Sequence, residues 1–374
     1  MGKITISADK IFDGQSVHEQ AQLVIMNGRV SHIEPMDNQA SQHISGMICP
    51  GFVDLQVNGG GGALLNTHAD VKGLKTMFSA HCQFGTTAML PTLITDTSEV
   101  MEKAADAVAE AIAQGVDGII GVHFEGPHLS VAKKGAHSEA FIRGLSDQEW
   151  AVISRDDLGL VAVTVAPENV SPSDISQMVS LGIRVFLGHS NADFTTAQAA
   201  LDAGASGFTH LFNAMSPFTS REPGMVGAAL LNDNAVCGLI VDGHHVDYTA
   251  CQLALKNKPA GSLLLVTDAM SVVGTDIERF AFFDREIIRR GDKLNSTTGE
   301  LAGSALDMAS AVRNMVKHVG VSLEEALRMA SLYPAKYLGK EQEFGQLIKG
   351  ARADFIALDE DITVTQSWVA GKQQ

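Results

Sequence analysis

Four residues stand where short apolar runs give way to polar sequence: Glu125 in "GVHFEGPH", His189 in "VFLGHS", His210 in "GFTHLFNAM" and Asp268 in "LLLVTDAMS". Two imidazoles and one carboxylate suit a borderline divalent ion such as zinc and leave a position for water. Such an ion lowers the pKa of that water. A further carboxylate that is not a ligand can carry the proton. The residue types therefore read as a hydrolytic metal site, with Glu125, His189 and His210 as ligands and Asp268 as proton shuttle. Each residue alone has a plainer reading. A strand-end histidine usually satisfies a backbone carbonyl, Asp268 could cap a helix, and Glu125 could cap the turn at Gly126-Pro127. Independent plain roles do not predict four such residues on one rim. His244 and His123 keep the plain reading. The "HFE" around His123 has the H-x-E of zinc deaminases but lacks their P-C-x-x-C half.

The elements that must position these residues are short strands alternating with helices. The strand candidates are 52–57, 87–91, 118–124, 160–165, 184–187, 207–210, 236–241 and 263–267. The clearest helix is 99–114. Its Val100, Ala104, Ala107, Val108, Ala111 and Ile112 follow the spacing of one apolar face, with Asp96 and Gly115 as start and stop signals. Eight βα alternations predict an α/β fold with a (β/α)8 TIM-type barrel, an open doubly wound sheet being the rival. In a barrel the polar strand ends would share one rim, where function sits.

The ends of the chain differ in character. Residues 1–48 read as strands with turns at Asp13-Gly14 and Asn27-Gly28, the second a strong hairpin signal. Residues 347–374 again read as strands. Together they are expected to form a small β-sandwich domain beside a barrel spanning 49–346. A β insertion is expected near 276–303, with turns at Gly291-Asp292 and Thr298-Gly299.

Composition bounds the function. The 374 residues carry 27 Lys+Arg against 43 Asp+Glu, a net charge of −16. That balance argues against a nucleic-acid surface, which needs a basic stripe. It leaves room for a small anion, because a few local cations hold one phosphate. No P-loop or G-x-G-x-x-G cradle is present; the glycines at 59–62 are not followed by a suitable Gly. Cys49, Cys82, Cys237 and Cys251 form no C-x-x-C pair and lie in apolar surroundings. No signal-type apolar core opens the chain and no apolar run approaches ~18 residues. A cytoplasmic protein with no membrane partner is expected.

"GFVDLQVNGGGG" completes the rim. Its strand ends at Gln56 and Asn58, two amides two residues apart. With "HFEGPHL", "KKGAH", "LGHS", "THLFNAM", "REPG", "DGHHVD", "VTDAM" and "LAGSAL" it resembles the N-acetylglucosamine-6-phosphate deacetylase family of the amidohydrolase superfamily, over nearly the whole chain and in the same order. The resemblance implies hydrolysis of N-acetylglucosamine 6-phosphate to glucosamine 6-phosphate and acetate. Many amidohydrolases carry His-x-His where this chain has Gln56 and Asn58. The resemblance therefore implies a vestigial first metal position and one divalent ion per subunit, zinc first, with iron, manganese or cobalt also suited. Gln56 and Asn58 are expected to be structural, holding the Gly-rich turn. Asp268 would act as base and then acid, and His137 would polarise the acetyl oxygen. The implied sugar-phosphate contacts are Ala136, His137, Asn213, Ala214, Arg221, Asp242, His245 and the stretch Leu301, Ala302 and Gly303. Arg221 and His245 would lie near a subunit boundary, which implies a homodimer or a larger homo-oligomer. Without the resemblance, His137 reads as a loop histidine and Arg221 as the partner of Glu222. The rival functions are deacetylation of N-acetylgalactosamine 6-phosphate, another amidohydrolase reaction, and a non-catalytic scaffold on the same fold.

Overall fold

The computed structural model describes residues 2–374 except 38–39, 284, 298 and 300. Eight parallel strands form one sheet in sequential order: Phe52–Val57, Thr86–Ile94, Gly121–Glu125, Leu160–Val165, Arg184–Leu187, Gly207–Phe208, Val236–Leu239 and Leu263–Leu265. A doubly wound sheet would reverse its order at a switch point. Here the order never reverses, and the last strand returns to the first. Val57 bridges Ala269 in parallel, and Asp268 N–H donates to the Gln56 carbonyl at 2.9 Å. The sheet is a barrel.

The strands are short apolar runs buried on both faces, as parallel strands covered by helices must be. Polar groups inside the barrel are paired across strands. The Thr267 hydroxyl donates to Asp54 at 2.5 Å, tying the last strand to the first. His123 sits 2.9 Å from the Leu55 carbonyl and 2.7 Å from the Thr164 hydroxyl, which in turn meets Thr209 at 2.7 Å. His123 is thus a satisfied core histidine.

The helix expected over 99–114 spans Ser98–Ala113 and buries Met101, Ala104, Ala107, Val108 and Ala111. Its cap is Thr97, whose hydroxyl accepts from Val100 N–H at 3.3 Å, rather than Asp96. Asp96 instead accepts from the Asn66 amide at 2.8 Å. Gly115 ends the helix at φ +66°.

The terminal segments form a seven-stranded sheet. Its order is Lys372–Gln373, Val364–Val369, Phe355–Leu358, Gln42–Pro50, Lys3–Phe12, Val17–Met26 and Arg29–Pro35. Asn27 and Gly28 turn the hairpin at φ +52° and +78°, as a primed two-residue turn requires. This sheet has its own core, including Ile6, Leu23, Ile25, Phe355 and Trp368. A third, antiparallel sheet follows the eighth barrel strand: Arg279–Phe282, Arg285–Arg290 and Lys293–Ser296. Gly291-Asp292 turns it as expected; Thr298 lies outside the described residues. Its Phe282, Ile287 and Leu294 pack with Ile94 and Met270 at the barrel mouth. All four cysteines are free and buried. Among the described residues no helix is long and apolar enough to cross a membrane.

Candidate active site

The rim expected from sequence is present at the carboxyl ends of the strands. Glu125 is the last residue of the third strand, and His189, His210 and Asp268 follow the fifth, sixth and eighth. The sixth strand ends at Phe208, so His210 lies beyond it rather than within it. His189, His210 and Asp268 have φ of +46°, +34° and +51°. Left-handed backbone at a non-glycine residue costs on the order of 1–3 kcal/mol and persists only where the surroundings enforce it. Here three such residues converge on one cavity.

The donor atoms meet. His210 Nε2 lies 2.9 Å from His189 Nε2, and each lies 3.2 Å from Glu125 Oε1. Donors about 2 Å from one tetrahedral ion lie roughly 3.3 Å apart, so the spacing suits a divalent cation. His189 Nδ1 donates to the Lys133 carbonyl at 2.9 Å, which leaves the Nε2 lone pair facing the other ligands. Burial pushes the Glu125 carboxyl up, but the hydrogen bonds with His189 and His210 outweigh it and hold it well below the usual carboxylate range. A buried carboxylate facing two imidazole nitrogens is a donor set chemically matched to zinc or a similar ion.

Asp268 stands beside this triad. Its Oδ1 accepts from Asn58 Nδ2 at 2.6 Å and from Gln56 Nε2 at 3.2 Å. Gln56 Nε2 also donates to Glu125 Oε1 at 3.2 Å. The amide side chains therefore bond to the carboxylates of Glu125 and Asp268 and not to the Gly-rich turn, contrary to expectation. Backbone bonds hold that turn: Gly59 N–H to Ala269, Gly61 N–H to Val273 and Gly62 N–H to Ser271 carbonyls. The enclosed site, and then the Glu125 charge, push the Asp268 carboxyl up to about 6.

His137 closes the other side. Its Nδ1 accepts from Thr95 N–H at 3.3 Å and lies 2.9 Å from the Thr95 hydroxyl. A nitrogen that accepts from a backbone N–H carries no proton, so Nε2 carries it. Burial, then the neighbouring His189, press its pKa down to about 3, keeping the ring neutral. Thr95 is missing from the sequence reading because the second strand runs to Ile94, beyond the expected end at Pro91. A strand end placed three residues further along would have marked it.

A cavity of about 160 Å³ joins these groups. Asn58, Ala136, His137, Asn213, Ala214, His245, Leu301 and Gly303 line it with the triad and Asp268, and Ile94, Met270 and Phe282 supply apolar wall. Asp242 lies behind the wall, its carboxylate 2.6 Å from His245 Nδ1. Ala302 is turned into the apolar cluster with Met270 and Phe282 instead of the cavity. Arg221 is exposed and off the cavity wall. Its suggested partner is engaged elsewhere, since Glu222 accepts from Phe194 and Gly224 N–H groups at 2.8 and 2.9 Å. His244 keeps its plain role, pairing with Asp292 at 2.9 Å.

Known proteins share this arrangement of chain. The amidohydrolase family model matches residues 47–373. The N-acetylgalactosamine-6-phosphate deacetylase of Shewanella sp. (strain ANA-3) is 51% identical over 328 residues, 88% of this chain and 83% of that one. The N-acetylglucosamine-6-phosphate deacetylase of Haemophilus influenzae is 35% identical, covering 86% of this chain and 85% of that one. The crystal structure of N-acetylglucosamine-6-phosphate deacetylase from Pasteurella multocida superposes with a TM-score of 0.95 at 37% identity, covering 100% of this chain and 99% of that one.

Proposed function

The chain belongs to the amidohydrolase family, and from that premise we propose that it removes the acetyl group from N-acetyl-D-glucosamine 6-phosphate, giving D-glucosamine 6-phosphate and acetate. One observation carries this reading: a three-donor metal triad, a carboxylate with a raised pKa and a neutral imidazole face one small cavity. A non-catalytic scaffold would have no reason to keep them together.

Glu125, His189 and His210 would hold one divalent ion, zinc by preference. When bound, it supplies Lewis acidity to water or to the acetyl carbonyl. Asp268 takes the proton of the attacking water and later gives it to the departing nitrogen, base and then acid in one turnover. His137 Nε2–H donates to the acetyl oxygen as negative charge develops there. Ile94, Met270 and Phe282 keep bulk water from the reacting atoms. With amides at Gln56 and Asn58, poor ligands for zinc, metal analysis of the purified protein should give about one equivalent per chain. Two firm equivalents would mean that the first position is rebuilt by other groups.

The 6-phosphate needs donors. Asn213, the backbone at Ala214 and His245 offer them from the cavity wall, with Asp242 orienting the His245 ring. Arg221 would complete the clamp across a subunit boundary, its exposure in the single chain fitting a homo-oligomer, dimer or tetramer. A forked guanidinium suits phosphate oxygens. Arg221→Ala should therefore raise KM for the phosphorylated sugar by about 10–100-fold, the scale of one or two charge-assisted hydrogen bonds. It should leave the unphosphorylated sugar nearly unchanged, and an equal change in both would remove Arg221 from the clamp. Four free buried thiols suit a reducing cytoplasm.

The 51% identity to an N-acetylgalactosamine-6-phosphate deacetylase favours one second reading, the C4 epimer as substrate. Acetate release separates them, measured with added zinc on both phosphorylated epimers and on unphosphorylated N-acetylglucosamine. Fast release from the gluco phosphate supports the main reading. Faster release from the galacto phosphate transfers the assignment to it. No release from either phosphate, with metal bound, would return the substrate to open ground, between another amidohydrolase reaction and the scaffold.

A further inference from the structure

We infer that Gln56 and Asn58 are working parts of the reaction: they are positioning residues that fix which oxygen of Asp268 moves the proton. The inference rests on the reading of Asp268 as proton shuttle. Both amides donate to the same atom, Asp268 Oδ1, at 3.2 and 2.6 Å. Two donors fill the acceptor capacity of that oxygen. Among the described residues Oδ2 has no hydrogen-bond partner. The geometry leaves Oδ2 as the atom with a free lone pair facing the chemistry.

The amides also separate two like charges. Gln56 Nε2 lies between Glu125 Oε1 and Asp268 Oδ1, 3.2 Å from each, and presents one N–H to each. A cation at this position would stabilise both carboxylates. An amide does so with partial charges and adds no group that competes for the transferred proton. The amides are held to the task by the barrel seam. Asp268 N–H bonds to the Gln56 carbonyl at 2.9 Å, and Asp54 on the same strand accepts from the Thr267 hydroxyl at 2.5 Å. That seam sets the two strand ends at a fixed spacing. It also supports the left-handed backbone at Asp268, φ +51°.

The proton route then balances atom by atom. The water O–H bond breaks, its proton passes to Oδ2, and the oxygen bonds to the acetyl carbon. As the C–N bond breaks, its electron pair stays on nitrogen, which takes the proton back from Oδ2. The two N–H bonds to Oδ1 persist throughout, so the carboxylate does not rotate between the two transfers.

The test is a double-mutant cycle on the full-length, metal-loaded protein. Asn58→Ala should lower kcat by about 10–100-fold, the usual effect of losing an outer partner of a reacting group. KM, the bound metal and the melting temperature should stay close to those of the parent. Asn58→Asp keeps the shape but replaces the donor with a repelling charge, and kcat should fall further. In the Asp268→Asn background, Asn58→Ala should change the residual rate by less than about twofold, because a residue acting through Asp268 has nothing left to act on. Binding of N-acetylglucosamine 6-phosphate to that inactive pair, read by calorimetry, should match the single Asp268→Asn variant. The inference is overturned if Asn58→Ala leaves kcat intact, costs the same factor in both backgrounds, or acts by loss of metal. If Asp268→Asn itself turns over at near the parent rate, the shuttle reading fails first and this inference falls with it. A dead Asp268→Asn beside a normal Asn58→Ala overturns this inference alone.

Discussion

Asp268→Asn is expected to lower kcat by about 10²–10⁴-fold, the range general acid–base groups contribute, while fold and metal content stay as they are. Asparagine is nearly isosteric, and its oxygen can still accept from Asn58 and Gln56. What it loses is the capacity to hold a proton between water and the leaving nitrogen. The pH profile supplies a second reading of the same variant. Asp268 is raised to about 6 by its enclosure and by the Glu125 charge. A base must be ionised, so kcat/KM should rise with pH and be lost as pH falls through about 6. A bound cation favours the carboxylate and moves that limb to lower pH. The limb should vanish in Asp268→Asn. Near-parent turnover in the variant, or an unchanged acid limb, would take Asp268 out of the mechanism.

The second large effect belongs to the metal triad. His210→Ala removes one of three donors and opens a buried position next to Glu125 and His189. Activity should fall at least about 10³-fold, since neither Lewis acidity nor an activated water survives. Metal content should drop from about one equivalent towards zero. Thermal melting gives a readout independent of turnover. An ion that binds only the folded chain stabilises it by about 2.7 kcal/mol at 100-fold over Kd. The parent protein stripped with a chelator should therefore regain melting temperature and activity together when zinc is added. His210→Ala should regain neither. Stoichiometric metal in His210→Ala, or full activity in the stripped parent, would exclude this triad as the catalytic metal site.

These effects are legible to different depths in the amino-acid order. The bounds of the first, fourth and fifth barrel strands and the placement of Glu125, His189, His210 and Asp268 follow from local pattern. An apolar run buried on both faces must end, and a polar residue at the end is a rim residue. The second strand shows where local pattern stops. Thr92 within it and Thr95 just past it are both buried, so exposure of a polar residue does not mark its end, and Thr95 goes unmarked as the partner of His137. Ala302 stands between two residues of the cavity wall, Leu301 and Gly303, while its own side chain packs in the apolar cluster, a direction that "LAGSAL" does not announce. For the helix after the second strand, Thr97 rather than Asp96 became the cap because Asp96 is engaged by Asn66. A choice between two adjacent capping residues depends on what else touches them.

By itself the sequence determined eight alternations of short strand and helix, ligand-type residues at the strand ends, and two amides two residues apart at the end of the first strand. These are properties of residue type and of period along the chain, and they need no contact between distant segments. Only the tertiary structure decided what the amides do. Asn58 and Asp268 are 210 positions apart, and nothing in either segment says that closing the barrel brings one amide against one carboxylate oxygen. The left-handed backbone at His189, His210 and Asp268 is likewise imposed from outside. Local sterics disfavour it, so no local signal announces it, and it exists because packed neighbours and cross-strand hydrogen bonds leave the chain no other course.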